Sequence, residues 1–169
     1  MSSKRWIAAL VLVGAAALPA AEAPNPAWTK LQTLVGAWMG NYSGPDAEGA
    51  GEVRISYALV SNGTSLMETL ESGHDTSMIT VYHPDGARIM ATHYCAAGNQ
   101  PRMAATGLGD GGRTLTFSFL DATNVRNPDE EVMRSLVVTF ENTNHFSQAW
   151  TSRARGKDHV GTFSYTRVK

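Results

Sequence analysis

The chain is short of cysteine, of excess charge and of helical periodicity. Cys95 is the sole cysteine among 169 residues, so an intrachain disulfide framework is excluded. A chain of this length suggests one domain and can bury a core without staples. The 14 Lys and Arg are balanced by 15 Asp and Glu, for a formal net charge of −1. That balance offers no electrostatic footing for nucleic acid, which calls for a cationic patch. No Gly-rich phosphate loop precedes a helix, and neither a Gly-x-Ser-x-Gly elbow nor a paired-carboxylate constellation is present. The common nucleotide-binding and hydrolase signatures therefore have no foothold.

What is present begins with an export pattern. Lys4 and Arg5 precede an apolar run from Ile7 to Leu18, which is too short to span a bilayer comfortably. Pro19 breaks the run, and Ala21, Glu22 and Ala23 supply the small-x-small pattern of a cleavage site. Residues 1–23 are expected to be a signal peptide, with an uncleaved anchor as the alternative. Cleavage leaves residues 24–169 as a mildly acidic domain, periplasmic or secreted, with no stable membrane anchor. Cys95 is expected to be packed away, since an exposed thiol in that compartment invites oxidation.

In the mature chain only Ala27 to Leu34 carries a helical pattern, with Trp28, Leu31 and Leu34 on one face and Gly36 ending it. The rest reads as strands. Val53, Ile55, Tyr57 and Leu59 alternate with Glu52, Arg54, Ser56 and Ala58, a period of two. Asn62 and Gly63 suggest a two-residue hairpin turn before a return strand from Ser65 to Glu71. Turn residues recur at Pro84–Gly86, Gly109–Gly112, Asn142–Asn144 and Gly156–Asp158. With Ala37–Tyr42 as the first strand and Val160–Val168 as the last, the count is about ten. Short links favour an up-and-down meander, and a long meander removes its edges by closing. The expected fold is an all-β antiparallel up-and-down barrel of about ten strands with one short N-terminal helix.

The helix followed by Leu34, Val35, Gly36, Ala37 and Trp38 resembles the Gly-x-Trp entry of lipocalins and related calycin barrels. The likeness is greatest to the ten-stranded fatty-acid-binding-like and nitrobindin-like members. It implies that Trp38 closes one barrel end and stacks on a cationic residue of the last strand, for which Arg167 is placed. It also implies a cavity for a small apolar or amphipathic ligand. Nitrobindin-like members hold haem through a histidine of a late strand, and His145 and His159 are the positional candidates, although neither lies in a matching motif. The segment Thr92 to Met103 resembles a signature of bacterial exported proteins and brings no established chemistry.

That segment holds the most unusual polar cluster: His93, Tyr94, Cys95, Asn99, Gln100 and Arg102. Alternation puts His93 on one face with Ile89, Ala91 and Cys95. Facing inward, it is either a core histidine held by a carbonyl or a catalytic acid/base with Glu68 or Tyr94 as partner. Glu68 lies mid-strand. Pointing outward it is solvated, and pointing inward it needs Arg102, His93 or a ligand. Expected ligand contacts are His93, Tyr94, Asn99, Gln100, Arg102 and Glu68, although Asn99, Gln100 and Arg102 could instead pin the turn. Met39, Met67, Met78, Met90, Met103 and Met133 could line an adaptable cavity or fill a core. No metal motif is read, and His74 and His159 read as solvated. The leading expectation is an exported binder of a small apolar molecule. An enzyme using His93 and a barrel filled with side chains are the alternatives.

Overall fold

The computed structural model describes residues 25–44, 52–72 and 76–169. The signal peptide expected over 1–23 and the turn holding His74 lie outside the described residues. Helix α1 spans Pro26–Gln32, and the strands are β1 (Gly36–Ser43), β2 (Glu52–Val60), β3 (Ser65–Ser72), β4 (Thr76–Asp85), β5 (Arg88–Tyr94) and β6 (Gln100–Ala105). They continue as β7 (Leu108–Gly109), β8 (Thr114–Thr123), β9 (Val132–Asn142), β10 (His145–Ala154) and β11 (Lys157–Arg167). Each long strand pairs antiparallel with its sequence neighbour, and β1 pairs with β11, Trp38 lying opposite Arg167. β6 pairs directly with β8, so the two-residue β7 sits outside the ring. The result is a closed ten-stranded antiparallel barrel, compatible with a calycin-like fold.

The strands form where alternation predicts them, because one phase of each is mainly apolar and turns into the barrel. Val53, Ile55 and Tyr57 are buried while Glu52, Arg54 and Ser56 are exposed. The turn after β2 departs from the expected two-residue hairpin. Val60 is the last residue paired with Ser65, leaving a four-residue loop in which Ser61 and Asn62 both take positive φ. Asn tolerates that conformation, so the residue choice fits although the loop is longer.

Helix α1 closes one barrel end. Asn25 caps it, its side-chain oxygen accepting from the Ala27 and Trp28 amides, with Pro26 at the first position. Leu31, Leu34 and Trp38 are buried in the core behind it. The Trp38 indole donates to the Leu34 carbonyl at 2.8 Å, and Arg167 stacks on its ring at 4.0 Å. The Arg167 guanidinium also donates to the Thr33 and Val35 carbonyls at 2.7 and 2.9 Å. One residue thus covers the indole and binds backbone oxygens just beyond the end of α1. Such a stack contributes about 0.5–2 kcal/mol, and the carbonyl bonds add to it.

Candidate functional site

Polar residues occupy the inward phase of five strands. Glu68 of β3 lies between Leu66 and Leu70 and is 2% exposed, and Gln148 of β10 lies between Phe146 and Trp150 and is fully buried. Tyr57 of β2, Thr80 and Tyr82 of β4, and His93 of β5 join them. A buried carboxylate is costly unless donors surround it, and here they do. Glu68 Oε2 accepts from the Tyr57 hydroxyl at 2.7 Å, the Tyr82 hydroxyl at 2.6 Å and the Gln148 amide at 2.8 Å. Thr80 donates to Oε1 at 3.4 Å. Burial raises the Glu68 pKa, and these hydrogen bonds pull it back. Burial and the neighbouring carboxylate raise both tyrosine pKa values well above the ordinary phenol value.

The chain of bonds continues from Thr80 to His93, whose Nδ1 lies 2.9 Å from the threonine hydroxyl. Thr80 has one proton and, among the described residues, is the only side chain bonded to Glu68 Oε1. Where Thr80 spends that proton on the carboxylate, it accepts from His93 Nδ1–H, the tautomer that leaves Nε2 unprotonated. His93 is 5% exposed, its ring lies 4.8 Å from that of Trp150, and its Nε2 has no partner among the described residues. Burial pushes its pKa down to about 4, so the imidazole is neutral.

His93 lines a cavity of about 380 Å³ in the half of the barrel remote from α1. Leu70, Met78, Met133, Trp150 and Phe163 form the apolar wall, Tyr42 and Gly161 share one side, and Glu131 and His159 also line it. A β-bulge places one of these. The register between β9 and β10 shifts between Thr151↔Ser135 and Ser152↔Met133, which reverses the phase of β9 and re-aims Met133 toward the cavity. Arg134, the residue in the bulge, stacks instead over Phe119 at 4.2 Å.

Of the residues singled out by sequence, Glu68 and His93 meet at the cavity, linked through Thr80. The others lie elsewhere. Tyr94 is 50% exposed. Arg102 points outward and pairs with Asp121 at 2.6 Å rather than with Glu68. Gln100 donates to the Gly98 carbonyl and accepts from Thr123. Asn99 is buried but donates to the Glu131 carbonyl and the Glu130 carboxylate, so it pins its turn to the loop before β9. None of these four lines the cavity. Cys95 is half-buried rather than sealed in the core.

His145 is exposed and bonds Thr166 on the outer face, whereas His159 lines the cavity although largely exposed. Neither is held inside the barrel, so neither fits an axial ligand of an enclosed haem. Among the described residues no three His, Cys, Asp or Glu side chains form a metal-holding group. Of the methionines, Met78 and Met133 line the cavity and Met103 is packed in the core.

No family model matches the chain, and no curated protein matches it. The site is therefore read from its own geometry. Sequence reasoning passed over Tyr57, Thr80, Tyr82 and Gln148. The signal that finds them is parity, since each shares its strand phase with buried apolar residues, as Gln148 does with Phe146 and Trp150.

Proposed function

We propose that this protein binds one small, mainly apolar or amphipathic molecule in the cavity remote from α1, and that it does so after export. The observation carrying the reading is a largely apolar cavity of about 380 Å³ lined by the buried His93, whose Nε2 has no partner among the described residues. Ligand sites typically occupy about 300–1,000 Å³ with a few fixed polar groups. A barrel meant only to be filled with side chains would gain stability by closing such a gap. The Trp38–Arg167 stack beneath a short helix supports a calycin kinship of the fatty-acid-binding-like or nitrobindin-like kind. The N-terminal pattern supports a periplasmic or secreted location.

A second reading has its own support. A neutral imidazole tied through Thr80 to a buried carboxylate can accept a proton at Nε2 while Nδ1 passes one toward Glu68. That arrangement would serve a general base acting on a bound ligand.

Native mass spectrometry of protein purified from its own host tests the binding reading. A co-purifying small molecule, lost in the His93→Phe variant, is the expected result. A bare mass together with no binding of any aromatic or aliphatic probe would overturn it. Turnover of the co-purified molecule by the wild type would favour the second reading.

A further inference from the structure

The cavity has charge of one sign. Glu68 and Glu131 line it, and among the described residues no Lys or Arg does. Of the buried side-chain polar atoms without a partner among the described residues, His93 Nε2 is the one whose residue lines this cavity. With Thr80 donating to Glu68, Nδ1 donates to Thr80 and Nε2 presents a bare lone pair, the tautomer on which the inference rests. A buried acceptor is satisfied only by a donor. Trp150 and Phe163 supply aromatic side chains to the same wall.

We infer that the cavity selects an aromatic molecule carrying a hydroxyl or N–H donor, uncharged or cationic, and rejects carboxylates of the same size. The inference rests on the cavity being a ligand site and adds the chemical class. The donor fills the vacancy at Nε2, and its flat body lies among the aromatic side chains, where ring pairs gain beyond their buried area. A carboxylate brings no proton for Nε2 and sets its negative charge near the buried Glu68 side chain, where repulsion is stronger than in water. Among the described residues it also finds no guanidinium or ammonium in the wall to pair with. A cationic N–H ligand meets the opposite condition, since Glu68 and Glu131 both attract it.

The test compares β-naphthol, its methyl ether and β-naphthoate by titration calorimetry at neutral pH. These share one ring system and differ in having a donor, having none, and carrying a negative charge. The expected result is that β-naphthol binds about tenfold or more tighter than the ether, as for a site built to meet a ligand hydroxyl. Naphthoate should bind weakest. In His93→Phe the affinity for β-naphthol should fall to that of the ether, while the affinity for the ether stays put. Naphthoate binding as tightly as β-naphthol, or a naphthol preference that survives His93→Phe, would overturn the inference and leave the binding reading standing. If none of the three binds, the inference falls, and the binding reading stands or falls on the native mass. The wild-type ranking decides the matter even if the variant does not fold.

Discussion

Acid should weaken this fold in part through a single buried side chain, His93. Burial lowers its pKa from the ordinary 6.5 to about 4, so the unfolded chain takes up a proton that the folded chain refuses. With the unfolded state binding more protons, stability rises with pH. The contribution is fully present above about pH 6.5 and is lost as pH falls toward 4. A gap of this size is worth about 3 kcal/mol at 1.36 kcal/mol per pH unit, a large share of a typical 5–15 kcal/mol total. The groups facing the imidazole are Thr80, which anchors Nδ1, the Trp150 ring, and Glu68 beyond Thr80, with Glu131 and His159 in the same cavity wall. Glu68 acts with the opposite sign. Its raised pKa makes the folded state hold its proton longer, so its contribution falls as pH rises from 4.5. Subtraction isolates the histidine. His93→Phe keeps a ring against Trp150 and leaves Thr80 donating to Glu68, but it cannot titrate. Urea unfolding of both proteins from neutral pH to about pH 4 should show the wild type losing about 3 kcal/mol more than the variant. Parallel profiles would refute the argument, as would an imidazole NMR titration midpoint near 6.5.

Glu68→Leu leaves the Tyr57 and Tyr82 hydroxyls without their acceptor, at about 1–3 kcal/mol for each stranded donor. Glu68→Gln keeps an acceptor oxygen there and should lose less, so urea midpoints should rank wild type, Gln, Leu. Trp38→Ala should cost about 3–5 kcal/mol as a core deletion that also removes the surface on which Arg167 stacks, read from the same transitions. Gly40→Ala should destabilise by about 1–3 kcal/mol as overpacking, because the new methyl would sit 2.5 Å from the Ser164 carbonyl oxygen and against the Tyr165 ring. Tyr94→Ala and Arg102→Ala should leave the calorimetric affinity for β-naphthol within about twofold, the range expected of surface changes away from a site.

The barrel is legible in the amino-acid sequence because its determinants are local. Alternation over each strand, Asn and Gly at the turns, and connections too short for crossovers leave few topologies for an antiparallel chain. The Gly-x-Trp entry even pairs Trp38 with Arg167 across the closing strands, and the two stack. The site is harder to read because it joins residues that sequence distance separates. Gln148 donates to Glu68 from 80 positions away, and nothing local to either residue marks the other. Proximity in the chain instead favours the polar turn after β5, where Asn99, Gln100 and Arg102 serve the turn and the outer surface. Periodicity says that His93 and Glu68 each share a strand phase with apolar neighbours. Only closure of the sheet decides that these phases face one interior, that Thr80 falls between the two side chains, and that the bulge at Arg134 brings Met133 round to the same space.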